Sequence, residues 1–293
     1  MSKRNIGVLH PGEMGVAVAK TAQNSGHEVY WASNGRSPET CRRASGAGLT
    51  DAGSLARMVE LCPVIVSVCP PEFAEGLASE VIGLGYRGLY IDANAISPER
   101  VRRMGECMVN RGIAFVDACI IGLPATIRGE TWLYLSGPNA GDAVSCFSGG
   151  PLEVEALAGC IGQASALKMC FAAHTKGLAA LRAAVLGAAE ELGVLSDLRR
   201  QWERNGSTFD AAVASLQHTA PKAWRFVAEM KEIAATFESA GMPGEFHLAA
   251  AEIFARLAPF KGAGKPELHE ALNRLCGGGP CPAPGQGMAP PHT

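Results

Sequence analysis

The chain has 293 residues, of which 47% are hydrophobic and 18% charged, so it is long enough for two domains. A formal net charge of −2 and the lack of any Lys/Arg run argue against nucleic-acid binding, which needs a basic face. No apolar run reaches the ~20 residues of a membrane span, and a strand begins too early to leave room for a signal peptide. We therefore expect a cytoplasmic protein with no nucleic-acid or membrane partner.

The ten cysteines are scattered along the chain, and no C-x-x-C pair occurs. Scattered cysteines in a reducing compartment are expected to be free thiols that pack as small hydrophobic groups. Cys and His residues do not recur at the spacing of metal ligands, so no metal site is predicted.

Short apolar segments alternate with helical segments over the first half of the chain. The predicted strands cover residues 6–9, 29–31, 64–68, 89–92, 114–117 and 131–136. This alternation predicts an α/β fold, a Rossmann-type doubly wound parallel sheet whose ligand lies beyond the carboxyl ends of the strands.

From residue 165 the strand pattern stops, and helical segments rich in Ala, Leu and Glu follow. Helices are predicted over residues 166–192, 196–203, 208–216, 221–240, 244–257 and 266–274. The predicted domains are therefore a sheet domain at 1–164 and an all-α C-terminal domain for substrate binding and dimerisation at 165–275. Residues 276–293 are rich in glycine and proline and are predicted to be a disordered tail.

The first predicted strand runs into a glycine-containing turn that opens a helix. The turn follows the pattern H-x-G-x-x-G and consists of His10, Pro11, Gly12, Glu13, Met14 and Gly15. Without a side chain at Gly12 the backbone can approach a pyrophosphate, and Gly15 allows the helix to pack tightly on the strand. We predict that Gly12, Glu13, Met14 and Gly15 bind a dinucleotide, with an ordinary strand-to-helix turn as the alternative.

The second strand ends about 20 residues further on, where a dinucleotide fold places the residue that meets the adenosine ribose. An acidic residue there would accept a hydrogen bond from the ribose 2′-hydroxyl and select NAD, but none occurs before Glu39. Instead the loop carries Ser33 and Arg36, which suit a 2′-phosphate. The sequence therefore predicts NADP (NADPH) as the cofactor, with NAD less favoured. The alternative for Arg36 is a solvated loop arginine.

Two further segments follow in an order that matches a known family. One apolar strand ends at Cys69 and Pro70, and the next is followed by D-A-N-A-I-S-P, with Asn94 at the third position. Together with the turn, which matches G-L-G-x-M-G apart from its first two positions, these segments resemble the β-hydroxyacid dehydrogenase superfamily. That superfamily includes relatives of 6-phosphogluconate dehydrogenase and 3-hydroxyisobutyrate dehydrogenase. The resemblance implies that Cys69 and Pro70 lie along the cofactor and that Asn94 lies near the nicotinamide ribose.

The two motifs that carry the family's chemistry are altered. The chain has D-A-C-I-I-G-L where the family has D-A-P-V-S-G-G, so Ile121 replaces a serine that binds a substrate carboxylate, next to Gly122. It has K-M-C-F-A where the family has K-x-x-N-N, so Phe171 and Ala172 replace two asparagines. The resemblance implies that Lys168 is the catalytic lysine and that Ile121, Gly122 and Ala172 contact the substrate.

These replacements predict an apolar pocket wall formed by Ile120, Ile121, Leu123 and Ala172. A carboxylate desolvated against such a wall without partners would cost several kcal/mol. A small 3-hydroxy acid is therefore disfavoured as the substrate. A bulkier or less charged carbonyl compound, or an imine, fits this wall better.

The sequence predicts an NADP-dependent oxidoreductase that moves hydride between the nicotinamide and a carbonyl or alcohol carbon of a small-molecule substrate. Lys168 would donate the proton. One alternative is an imine reductase of the same superfamily, although those enzymes usually replace the lysine. Another is a non-catalytic NADP-binding protein, suggested by the loss of the Ser and Asn groups. His174 and His218 are alternative acids or bases, but lone histidines on helices are more often structural.

The C-terminal part resembles a subgroup of this superfamily that has an NADP-dependent dehydrogenase C-terminal domain. Residues 222–234 and 241–243 carry the similarity, and Lys231 with Glu232 corresponds to a family K-D pair, with a solvated helix face as the alternative. A homodimer is predicted because one alanine-rich helix has apolar residues on more than one side. These residues are Leu178, Ala179, Leu181, Ala184, Leu186, Ala188 and Ala189.

Overall fold

The computed structural model describes residues 3–206 and 209–277. Of the predicted tail, Cys276 and Gly277 fall within this part, and residues 278–293 lie outside the described residues. The helix predicted over 208–216 also begins at a residue outside them. No helix within the described ranges is both long and apolar enough to cross a membrane.

One eight-stranded sheet organises the first part of the chain, counted over the described residues. Its strands are β1 (Asn5–Val8), β2 (Glu28–Trp31), β3 (Thr50–Asp51), β4 (Val64–Ser67), β5 (Leu89–Asp92), β6 (Ala114–Ile121), β7 (Trp132–Ser136) and β8 (Glu153–Ala156). They lie in the order β3-β2-β1-β4-β5-β6-β7-β8. The predicted Rossmann-type class is confirmed.

The strand prediction needs three corrections. β7 pairs antiparallel with β6, because the helix-free loop 122–131 cannot carry the chain back for a parallel crossover. β3 and β8 are additional strands at the two edges of the sheet. Both were missed because β3 is exposed at both residues and β8 is at least partly exposed throughout, so neither has an apolar run.

The helices begin and end as follows. They are α1 (Glu13–Asn24), α2 (Pro38–Gly46), α3 (Leu55–Leu61), α4 (Ala74–Gly83), α5 (Pro98–Val109), α6 (Ala140–Val144), α7 (Gln163–Glu191), α8 (Leu195–Arg204), α9 (Phe209–Thr219), α10 (Ala223–Ser239), α11 (Glu245–Leu257) and α12 (Leu268–Leu275). Successive residues of β4 pack in different hydrophobic clusters. Val64 and Val66 pack in the cluster that contains α1, and Ile65 packs in the one that contains α3 and α5. The sheet is therefore covered on both faces, which explains its continuous apolar strands.

The register sets the carboxyl ends of the parallel strands at one edge of the sheet. Val8 pairs with Val66, Ser67 pairs with Asp92, and Asp92 pairs with Asp117. β6 continues past Asp117 to Ile121 and so extends beyond the ends of its parallel neighbours. This edge is where a doubly wound sheet binds its ligand.

The chain divides into two compact units. Over the described residues, the first comprises 3–171 and 235–242, and the second comprises 172–206, 209–234 and 243–277. The change from one unit to the other falls inside α7, shortly after the predicted boundary between residues 164 and 165. Within its described residues, the second unit contains helices and no strand.

Candidate active site

The glycine turn after β1 leaves the N-terminus of α1 open. The Gly12 amide donates to the His10 carbonyl at 2.9 Å, and Gly12 is the N-cap residue, with no side chain capping the helix. A Cβ atom on Gly15 would lie 2.0 Å from the His10 carbonyl oxygen, whereas one on Gly12 would meet nothing within 4 Å. Gly15 is therefore required by the turn itself, and Gly12 leaves space in which a phosphate could approach the helix N-terminus.

Glu13 and Met14 form the first turn of α1 with different surroundings. Glu13 is exposed, and Met14 is half-buried against the core of the sheet. An acidic side chain at a helix N-terminus is stabilised by the helix dipole but repels a bound pyrophosphate. The groups that these two residues can offer to a dinucleotide are therefore their backbone amides.

Arg36, in the loop after β2, reaches back to the end of β1. Its Nη2 donates to the Leu9 carbonyl at 3.1 Å, and its Nη1 contacts Nε2 of His10. Arg36 is therefore a half-buried bridge between two loops and not a solvated loop residue. In the same loop, the Ser33 amide donates to Oδ1 of Asp51 at 3.2 Å.

The His10 imidazole is neutral in this arrangement. Burial and then the charge of Arg36 lower the pKa of His10 from 6.5 to about 4. Nδ1 of His10 and Nε of Arg36 are both buried without a hydrogen-bond partner. Both residues line a cleft of about 880 Å³ that also includes Asn34, Ser54, Glu72 and Glu80.

Asn94 joins the ends of β4 and β5. Its Oδ1 accepts from the Cys69 amide at 2.6 Å, and its Nδ2 donates to Oγ of Ser67 at 3.0 Å and to Oδ1 of Asp92 at 2.5 Å. With both polar atoms engaged and 2% of its surface exposed, Asn94 fixes the backbone at Cys69, and its position near the nicotinamide ribose stays a prediction. Burial, followed by the charge of Asp92, raises the pKa of Cys69 to about 12, so this thiol stays protonated.

Asp92 and Asp117 are buried carboxyl groups at paired positions of adjacent strands. Burial and then the charge of Asp117 raise the pKa of Asp92 to about 8. Its Oδ2 is buried without a hydrogen-bond partner. Asp92 therefore holds a proton at neutral pH, because ionising both carboxyl groups would place like charges in a region of low dielectric.

Asp117 anchors the start of α7. Its Oδ1 accepts from Oγ of Ser165 at 2.7 Å, and its Oδ2 accepts from Oγ of Ser136 and from the amides of Gly162 and Ser165 at 2.8 to 3.1 Å. Burial raises the pKa of Asp117, and these hydrogen bonds oppose that shift. The carboxyl group caps the amides that begin the helix, where the helix dipole also favours negative charge.

Lys168 lies one turn after Ser165 on the same face of α7. Its Nζ donates to the Ile120 carbonyl at 2.7 Å, near the extended end of β6. The anchoring of α7 by Asp117 and the contact with Ile120 together hold the ammonium group at the carboxyl edge of the sheet. This is the edge that also carries the glycine turn, Cys69 and Asn94.

The residues predicted to line the substrate pocket have different environments. Ile120 is buried, Ile121 is half-buried, and Leu123 is 71% exposed, and the apolar pocket wall that these residues were predicted to form stays a prediction. Gly122 has a φ of 133° and lies so close to Thr131 that a side chain would not fit. Ala172 is fully buried and belongs to the second unit, and its substrate contact stays a prediction.

In the second unit, Lys176 forms a half-buried ion pair that the sequence analysis missed. Its Nζ lies 2.5 Å from Oε1 of Glu229 and 4.9 Å from the centre of the Phe226 ring. Lys231, the predicted member of a K-D pair, is exposed. His174 is exposed as well, and Nε2 of His218 lies 3.4 Å from Nζ of Lys222.

Four further residues of the site were not predicted from the sequence, namely His10, Asp92, Asp117 and Ser165. For the two aspartates a signal was present, since a single acidic residue in a strand that is otherwise apolar needs buried partners. For Ser165 and His10 the partners lie 48 and 26 residues away in the sequence, and no local pattern identifies them.

The open glycine turn, the uncapped helix and the buried donors near it fit a dinucleotide, so the fold and the site define a dinucleotide-binding protein. Residues 5–141 match the NAD binding domain of 6-phosphogluconate dehydrogenase, and residues 189–257 match the domain of unknown function DUF1932.

Individual relatives agree with these matches. A conserved protein, MTH1747, whose structure is described as similar to 3-hydroxyacid dehydrogenases, is 30% identical, with a TM-score of 0.65 over 87% of this chain and 97% of that chain. L-threonate dehydrogenase from Cupriavidus necator is 26% identical over 76% of this chain and 73% of its own length. A 3-hydroxyisobutyrate dehydrogenase from Mycobacterium tuberculosis, 16% identical, shares the fold with a TM-score of 0.68 over 94% of this chain and 99% of that chain.

The chain therefore belongs to the β-hydroxyacid dehydrogenase-like superfamily and carries an NAD(P)-binding domain, which confirms the predicted resemblance.

Proposed function

We propose that this protein is an NADP-dependent oxidoreductase that acts on a carbonyl or alcohol carbon. The observation that carries the proposal is the position of Lys168, whose Nζ is held by the Ile120 carbonyl at the same sheet edge as the glycine turn. The nicotinamide, when bound, supplies or accepts the hydride. Lys168 supplies the proton to the carbonyl oxygen in reduction, and accepts it in oxidation.

The contacts of α7 support this role because they fix the direction from which Lys168 reaches the edge. Asp117 accepts hydrogen bonds from Ser165, which lies three residues before Lys168. The helix backbone that carries the lysine is therefore held in place. A proton donor that is held in place by its surroundings loses less conformational entropy when the substrate binds.

The residue at position 121 argues for a substrate without a carboxylate next to the reacting carbon. Ile121 is half-buried and offers no hydrogen-bond donor from its side chain where the family has a serine. Desolvating a carboxylate there would be expensive. A bulkier or less charged carbonyl compound is the favoured substrate class, although the L-threonate dehydrogenase relative acts on a hydroxy acid by its name.

Consumption of NADPH with a panel of compounds tests the activity. The panel should contain aliphatic and aromatic aldehydes, ketones, cyclic imines and L-threonate, the last in the oxidative direction with NADP. Turnover of an uncharged carbonyl compound, well above that of L-threonate, is the expected result. Turnover of imines alone would favour imine reduction, and binding of NADPH without any turnover would favour a non-catalytic nucleotide-binding protein.

Arg36 supports NADPH as the cofactor, since its guanidinium is held at the cleft after β2. We expect NADPH to bind at least about tenfold more tightly than NADH, or ~1.4 kcal/mol. In fluorescence titrations, Arg36→Ala should weaken NADPH binding and leave NADH binding nearly unchanged. Equal affinities in the wild-type protein, or equal losses in the variant, would remove the case for a 2′-phosphate contact.

We also propose a homodimer formed through α7, in the cytoplasm. Leu178 and Leu181 expose 38% and 47% of their surface, whereas Leu186 is fully buried, so part of the predicted apolar surface is available.

The cysteines support the proposed cytoplasmic location. The nine cysteines of the described ranges are free, which suits a reducing compartment.

Sedimentation at micromolar concentration should give twice the monomer mass of 30.5 kDa. Leu181→Glu should dissociate the dimer. Leu192→Glu, at a more exposed leucine just after α7, is the control that should remain dimeric. A monomeric wild-type protein would refute this assembly.

A further inference from the structure

Two contacts determine where the Arg36 guanidinium lies. One is a hydrogen bond to the Leu9 carbonyl, a backbone group that is present whatever side chains this turn carries. The other is with Nε2 of His10, which depends on the side chain. The superfamily turn that this chain resembles has a glycine at that position and could not make the second contact.

Hydrogen-bonding chemistry fixes the roles in the second contact. A guanidinium has only donors, so Nε2 of His10 is the acceptor and Nδ1 carries the proton. The lowered pKa of His10, about 4, keeps the ring neutral and able to accept. A protonated ring would instead repel Arg36.

The lining of the cleft also offers Arg36 competing partners. Glu72 and Glu80 line the cleft that contains Arg36 and His10. Burial lowers the pKa of Arg36, and the negative charge of Glu80 opposes that shift, so this carboxylate acts on the guanidinium. Without His10, the flexible arginine would keep one anchor and could turn toward these acids.

We infer that His10 is a positioning residue that holds Arg36 for the 2′-phosphate and thereby determines the preference for NADPH over NADH. The inference rests on the proposed use of NADP. His10 need not touch the cofactor itself, because its contribution is to fix a long side chain before the ligand binds.

A pair of variants of similar size separates the acceptor from the bulk of the ring. His10→Leu removes the acceptor, whereas His10→Gln keeps an amide oxygen at a similar distance from the backbone. Dissociation constants for NADPH and NADH should be measured by fluorescence for each variant, with melting temperatures as a check on folding. If His10→Leu does not fold, His10→Gly, the family's residue, takes its place.

We expect His10→Leu to weaken NADPH binding about tenfold and NADH binding less than about threefold, while His10→Gln keeps the ratio of the two near that of the wild-type protein. On an Arg36→Ala background, His10→Leu should change both cofactors equally, because the residue to be positioned is absent. The ratio should also have the same pH dependence in the wild-type and His10→Gln proteins between about pH 5.5 and 8, since a neutral ring does not titrate there.

The outcomes separate the inference from the proposed function. If Arg36→Ala affects NADPH selectively but His10→Leu does not, the inference about His10 is wrong and the NADP proposal stands. If Arg36→Ala affects both cofactors equally, the NADP proposal itself fails. An equal loss of both cofactors in His10→Leu and His10→Gln would show a structural role for the ring and would also overturn the inference.

Discussion

The start of α7 and the end of β1 lie at the same sheet edge, yet their buried polar groups are satisfied to different degrees. Asp117 accepts hydrogen bonds from Ser136, Gly162 and Ser165, and so forms a closed network around the helix start. The pair of His10 and Arg36 retains two buried nitrogen atoms without a partner. The first arrangement suits the rigid placement of a catalytic group. The second is less stable by itself and suits a contact that a bound anion completes.

The largest effect is expected from breaking the closed network. Asp117→Ala leaves buried donors without an acceptor and should lower the free energy of unfolding by roughly 3–5 kcal/mol. It should also lower kcat more than it changes the dissociation constant of NADPH, because it releases the start of the helix that carries Lys168. Denaturant unfolding and steady-state kinetics measure the two effects.

Asp142→Asn is the matched control for this experiment, since Asp142 is an exposed aspartate on α6. We expect it to change stability by less than about 0.5 kcal/mol. A loss of stability at Asp117 without any change in kcat would mean that the network supports the fold but does not position Lys168.

A smaller, pH-dependent effect is expected at Asp92, the neighbour of Asp117. Between its unfolded pKa of 3.8 and its folded pKa of about 8, the folded state holds a proton that the unfolded state has lost. The free energy of unfolding therefore falls as the pH rises through this range. Asp92→Asn removes this pH dependence. The free energy of unfolding of the variant minus that of the wild-type protein should therefore grow by roughly 2–4 kcal/mol between about pH 5 and 8.

The difference in the free energy of unfolding between the wild-type and Asp92→Asn proteins isolates the contribution of Asp92 from that of other titratable groups. His10, with its lowered pKa, contributes the opposite slope between about pH 4 and 6.5 in both proteins and cancels. Chemical unfolding at a series of pH values gives the difference directly. A difference that does not vary with pH would mean that Asp92 is ionised in the folded protein at neutral pH.

The features of the fold and the site that the sequence could predict are those encoded locally. Apolar strands with regular spacing predicted the sheet, and the glycine turn and the segment around Lys168 predicted the residues at its carboxyl edge. The edge strands β3 and β8 could not be predicted, because partly exposed strands lack the apolar pattern. The partners of Asp117, Arg36 and Lys176 depend on tertiary contacts between distant segments, which no local pattern contains.

The role of Lys168 as the proton donor is tested most directly by single-turnover oxidation of bound NADPH with the best carbonyl compound of the panel. Lys168→Ala should bind NADPH with an unchanged dissociation constant and slow the oxidation by about 10²–10⁴-fold, the range expected for loss of general acid catalysis. Lys176→Gln, which keeps a donor for Glu229 on the same helix, should react far faster. Equal losses in the two variants, or a nearly unchanged rate in Lys168→Ala, would contradict the assignment of Lys168 as the proton donor.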